Sequence, residues 1–197
     1  MKKLLISASL VASAVIPSAA QAQAISPAVV AVVDLDKVTA ECTACKSALA
    51  ALRAQGQAYQ SRESALAAPL QTEQQSLQTA VNALNGKEPD AALKARITAF
   101  QNKQQQGATE LQRQQQQLQR NQQYVQKQIA DKLGPIYSQV MQRRGATIML
   151  EQGATLATAQ SLDVTNDVLA ALNTALTTIQ TNAPAATTAR PNQPQGR

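Results

Sequence analysis

Hydrophobic positions along the chain change their spacing three times. Residues 29–33 form a short Val/Ala run, the continuous β-branched stretch expected of a buried strand. From Val38 the spacing alternates between steps of four and three: Val38, Cys42, Cys45, Leu49, Leu52, Gly56, Tyr59, Glu63, Leu66, Leu70, Glu73, Leu77, Ala80 and Leu84. That is a heptad seam, and it predicts one long helix over 38–84. A second series with the same alternation predicts a helix over 91–144: Leu93, Ile97, Phe100, Gln104, Gly107, Leu111, Gln114, Leu118, Asn121 and Val125. Residues 85–90 between them (Asn-Gly-Lys-Glu-Pro-Asp) collect turn formers. After Gly145 the pattern shortens. Residues 147–150 and 156–159 read as two strands around Gln152-Gly153, and Asp163-Val164-Thr165 caps a last helix over 166–179. Residues 182–197, rich in Pro, Ala, Thr and Gln, read as disordered.

The two seams agree in phase across the short turn, so an antiparallel coiled-coil hairpin satisfies both. Its layers would pair Leu84 with Leu93, Leu77 with Phe100, Leu66 with Leu111, Tyr59 with Leu118 and Leu52 with Val125. At about 1.5 Å per residue the arm would reach roughly 70 Å. Several layers are weak. Glu73 would face Gln104 and Glu63 would face Gln114, with Lys103 and Arg113 near enough to pair with them; Gly56 against Asn121 is weaker still. Pro69 and Gly107 fall at nearly the same height and read as an elbow, since proline removes one helical hydrogen bond. After Val125 the second seam stutters, and Gly134-Pro135 reads as another break near the base.

Composition explains why such arms would be thin. The chain is 44% hydrophobic but 2% aromatic, with no Trp and no His. Alanine is roughly a fifth of it and glutamine roughly a seventh, both good helix formers that build little core. Without His, and with two Cys, the usual zinc sites and Ser-His or Cys-His pairs are excluded. No cofactor or metal is expected, and no enzyme. Met1 to Ala22 has the form of a secretory signal peptide: Lys2 and Lys3, an apolar run too short to span a bilayer stably, then Ala20-Gln21-Ala22, with Ala22-Gln23-Ala24 as a second cleavage option. An uncleaved anchor is the competing reading of that run. Cleavage near Ala22 would leave sixteen basic and twelve acidic residues, a net +4, on an exported and mildly basic chain.

The combination of strand, long helical hairpin, short strands and short helix on an exported chain resembles the Skp/OmpH family of periplasmic chaperones. The stretches that carry the resemblance are 30–38 (VAVVDLDKV), 147–150 (TIML) and 163–169 (DVTNDVL), within roughly 28–179. The resemblance implies a mainly α fold with a small β body. A signal peptide (1–22) would precede a discontinuous body (23–37 and 145–181), which carries a hairpin tentacle (38–144) with its tip at 85–90, followed by a disordered tail. It further implies a homotrimer with a barrel-like body, in which Val30, Val32, Ile148, Leu150 and Leu156 are the candidate association residues. Three tentacles would enclose unfolded outer-membrane β-barrel proteins without ATP, in the periplasm. The shortage of strands points to association independently, because so few strands cannot close a sheet.

Two further motifs need weighing. Cys42-x-x-Cys45 lies on the seam, where Cys packs as a small apolar residue, and export permits a local disulfide; a redox centre would need an α/β domain that this pattern does not build. Residues 94–144 hold nine basic side chains and two acidic ones. Arg113, Arg120 and Lys127 recur every seven residues, and Arg96 and Lys103 extend their stripe toward the tip. The stripe is either a solvated face or an electropositive surface for lipopolysaccharide, anionic membrane or acidic client segments. Nucleic acid is not an expected partner, given so few aromatics and no recognised binding fold. A structural spacer or adaptor of the envelope is the competing functional class.

Overall fold

The computed structural model describes residues 27–185, so the expected leader (1–22) and residues 186–197 of the expected tail lie outside the described residues. The order is β1 (Val30–Val33), α1 (Leu35–Glu41), α2 (Thr43–Asn82), α3 (Ala91–Arg144), β2 (Ile148–Glu151) and α4 (Thr165–Ala175), with single 3-10 turns at Gln152–Ala154 and Gln160–Leu162. β1 and β2 pair in parallel, Val30 against Ile148 through Val33 against Glu151, so the whole hairpin is the crossover between them.

Each helix boundary has a local cause. Asp34 caps α1 by accepting from the Lys37 N–H at 2.8 Å. The helix therefore starts three residues before Val38, and it ends at Cys42, whose extended backbone (ψ 126°) separates α1 from α2. The single helix expected over 38–84 is thus two. Cys42 Sγ accepts from the Cys45 N–H at 3.2 Å, and Asn173 Oδ1 accepts from the Thr43 N–H at 2.9 Å, so α2 begins under two caps. At the tip Asn85 and Gly86 take positive φ, 48° and 86°, as an Asn-Gly turn requires. Asp90 caps α3, and Gly145 ends it in the left-handed region at φ 67°. Arg144 binds Asp167 at 2.6 Å and ties the end of α3 to α4.

α3 runs unbroken through Gly134-Pro135, contrary to the expected break. Leu133, Ile136 and Val140 around it are buried in the body core, each contributing about 1.5–3 kcal/mol, which offsets the roughly 3 kcal/mol that an interior proline costs. α2 likewise stays helical through Pro69.

The core sits at the base. Ala31 and Val33 of β1 pack with Val38, Cys42 and Cys45, the α3 residues named above, and Val164, Val168, Leu172 and Leu176. Val38, Cys42 and Cys45, read as arm seam positions, therefore belong to the body core. The second strand expected at 156–159 does not form; the segment passes between the two 3-10 turns. The last helix ends at Ala175, four residues short of the expectation.

Candidate functional site

One face of the sheet is closed and the other is open. Ala31, Val33 and Met149 point to the helices. Their alternates Val30, Val32, Ile148 and Leu150 form an apolar stripe on the opposite face. Val32 is already buried within the chain, but Ile148 and Leu150 are each 41% exposed and Leu156 is fully exposed. Asp163 pins the edge of this body. It forms an isolated bridge with Val32 and accepts from the Thr165 N–H at 2.8 Å, while the buried Thr165 hydroxyl accepts from the Asp34 N–H at 2.9 Å. The bonds from Thr165 hold the Asp163 carboxyl below its ordinary pKa. Burial pushes the Tyr137 phenol up.

The arms carry little core and long grooves. Near the base, Leu49, Leu52, Gly56, Val125 and Ile129 line a groove of about 640 Å³. Above it Tyr59 and Leu118 share another, so the predicted pairing holds in the lower half. Toward the tip it drifts. Asn121 bonds Gln55, Leu66 lies against Gly107, and Arg96 bonds Glu73. Between the first and last of these pairs α2 advances eighteen residues and α3 retreats twenty-five, whereas a constant register needs equal steps. The layer of Leu66 against Leu111 is thus displaced toward Gly107, whose missing side chain lets the leucine approach.

The elbow candidates Pro69 and Gly107 do share one groove of about 520 Å³, with Leu66, Leu70 and Phe100. Two of the stripe's cations are neutralised within the chain: Arg96 by Glu73 at 3.0 Å, and Lys127 by Asp131 at 2.7 Å. Glu73 takes Arg96 rather than the expected Lys103. Lys103, Arg113 and Arg120 stand outside the ion pairs of the described residues. Arg120 instead donates to the Gln117 side chain. A cross-arm pair that the seam reading did not contain joins Arg62 to Glu110 at 2.6 and 2.9 Å, and the hydrogen bond lowers the Glu110 pKa and raises that of Arg62. Cys42 and Cys45 are joined by a disulfide inside the core.

The segment after α4 also returns to the arms. The Gln128 side-chain amide donates to the Gln180 carbonyl at 2.8 Å and accepts from the Gln180 N–H at 3.0 Å. Asn121 Oδ1 accepts from the Ala183 N–H at 2.8 Å, Gln117 Nε2 donates to the Ala183 carbonyl at 3.2 Å, and Gln55 Nε2 reaches the Thr181 carbonyl at 3.4 Å. Asn182 and Ala183 are therefore placed, although composition assigned them to the disordered tail. The available signal was Asn121, a polar residue at a seam position opposite glycine. It is 3% exposed, and the strap is one of its partners.

Among the described residues no helix is long and apolar enough to cross a membrane, and no His/Cys/Asp/Glu cluster could hold a metal ion. The family model that matches the chain is the outer membrane protein (OmpH-like) model, over residues 29–172. A crystal structure of a candidate outer membrane chaperone (OmpH-like) from Caulobacter crescentus CB15 superposes with a TM-score of 0.65 at 19% identity, covering 81% of this chain and 94% of the other. Among curated proteins none matches.

Proposed function

Because the chain belongs to the outer membrane protein (OmpH-like) family, we propose that it is an ATP-independent periplasmic holdase, which encloses unfolded outer-membrane β-barrel proteins between helical arms and keeps them soluble. The observation that carries the reading is the hairpin itself. α3 is 54 residues, about 80 Å, yet only its base enters the core. A helix pair extended so far beyond any core it supports provides surface rather than stability. That surface is amide-rich with shallow apolar grooves, suited to many weak contacts that sum to firm retention.

Self-association supplies the enclosure. Ile148, Leu150 and Leu156 would be covered by neighbouring copies, and a two-stranded sheet with the edge of β2 open gains both ladder bonds and burial that way. We read the assembly as a homotrimer, its arms adapting to client size at Pro69 and Gly107. Lys103 and Arg113 are the exposed cations left to attract anionic segments, lipopolysaccharide or membrane surface, with the partly buried Arg120 held beside Gln117.

The test is whether the chain from Gln23 onward keeps a urea-denatured outer-membrane β-barrel protein soluble after dilution, without ATP and at one trimer per client. Light scattering that stays at baseline supports the reading. Aggregation of the client in the presence of a folded trimer would leave the hairpin as an envelope spacer.

A further inference from the structure

We propose that the side-chain amides of Gln55, Gln117, Asn121 and Gln128 form a binding site for the backbone of an extended polypeptide, which residues 180–183 fill in cis and an unfolded chain fills in trans. The occupant in trans rests on the holdase reading; the site itself rests on geometry.

Nearly every contact to the strap is made to its main chain. Gln128 bonds both the N–H and the carbonyl of Gln180, the two bonds that a neighbouring β-strand would make. Asn121 and Gln117 bond the N–H and the carbonyl of Ala183 in the same way, and Gln55 reaches the Thr181 carbonyl. The one side chain engaged is Asn182, by Gln55 at 3.2 Å. Recognition is therefore of peptide groups, which every sequence offers.

The spacing also fits an extended chain. Asn121 and Gln128 are two heptad-related positions on one face of α3, about 10.5 Å apart along the axis. The three-residue step from Gln180 to Ala183 spans at most about 10–11 Å when fully drawn out. One heptad of helix thus matches three residues of extended chain. Gln114 is the next position on that face, and it lines a groove of about 360 Å³ with Gln55, Tyr59 and Leu118. A polypeptide longer than the strap has room to continue toward the tip.

The site is built rather than incidental. Asn121 is 3% exposed, its Oδ1 accepts from both Gln117 Nε2 at 2.7 Å and the Ala183 N–H, and its Nδ2 donates to Gln55 Oε1 at 2.8 Å. A buried amide held by two neighbours keeps one acceptor position aimed at a peptide N–H. An outer-membrane β-barrel protein before insertion has its strand N–H and carbonyl groups unpaired, and a rail of amides pairs with them without reading sequence.

Ala183→Pro removes the N–H that Asn121 accepts and leaves the rail intact. The probe is a fluorescein-labelled, end-blocked eight-residue peptide of alternating Ala and Thr, titrated by anisotropy against the chain from Gln23 onward, with helix content checked by circular dichroism. The Ala183→Pro variant should bind it at least threefold more tightly than the unsubstituted protein, and adding Gln128→Leu should remove at least that gain. Equal affinities across the three proteins, or no binding by any of them, would overturn the proposal. The solubility assay is run on the same proteins. Client retention without peptide binding sinks the amide rail and leaves the holdase reading; peptide binding without client retention does the reverse.

Discussion

Alanine at Gly56 and Gly107 should stabilise the arms, and the size of the effect follows from the space at each site. A helix-interior glycine costs about 0.8–1 kcal/mol relative to alanine, chiefly through backbone entropy. The gain is realised only where a methyl group fits. A Cβ at Gly56 would meet nothing within 4 Å, and one at Gly107 would lie 3.9 Å from Leu66 Cδ1, an ordinary contact. Gly134 is left out because Pro135 follows it, and a Cβ before proline crowds the proline ring in a helix. The two substitutions together should stabilise by about 1.6–2 kcal/mol, which slows exchange through opening of the whole hairpin by roughly twentyfold. Hydrogen exchange by mass spectrometry reads this arm by arm, with each single variant slowing its own segment about fivefold. Pro69→Ala is the companion: it restores a donor to the Ala65 carbonyl at an exposed site, worth about 3 kcal/mol. Faster exchange around Gly107 in its alanine variant would show that the drifted register, which sets Leu66 over that glycine, is wrong. Unchanged exchange at both positions would refute the account of thin arms held marginally helical.

The body allows four further tests. Leu150→Glu should leave the helix content intact but shift sedimentation to that of a monomer, because the residue lies on the uncovered face of the sheet; an unchanged sedimentation coefficient would remove that face from any interface. Reducing the disulfide between Cys42 and Cys45 should lower stability by about 2 kcal/mol at most, since it closes a very short loop, and a urea titration with and without reductant measures it. Thr165→Ala should cost about 1–3 kcal/mol in the same titration, by leaving the Asp34 N–H without its acceptor. Asp163 has a depressed folded pKa, so its contribution is full above the ordinary carboxylate range and is lost as pH falls through the folded value; Asp163→Asn should lower stability near neutrality and flatten the acid limb of the profile.

What the sequence determined by itself is whatever depends on neighbours along the chain. The Val/Ala run made β1, the two seams made the long helices, Asn85-Gly86 made the tip, and Gly145 ended α3, each through a preference that acts over a few residues. Where a local rule failed, distant packing had overruled it. Pro135 continues its helix because Leu133 and Ile136 are buried in the body core. The hairpin register was open in principle, since sliding one heptad seam along another by a whole turn keeps apolar positions facing each other; the single missing side chain at Gly107 and the Arg–Glu pairs across the arms chose among the alternatives. The strap was legible only as an anomaly, a polar Asn121 on the seam opposite Gly56. Gln180 meets Gln128, and Ala183 meets Asn121, across 52 and 62 residues of chain, and no local pattern names those partners. Periodicity reports which face of a helix is apolar, but only the folded backbone decides which distant peptide group arrives there to be bound.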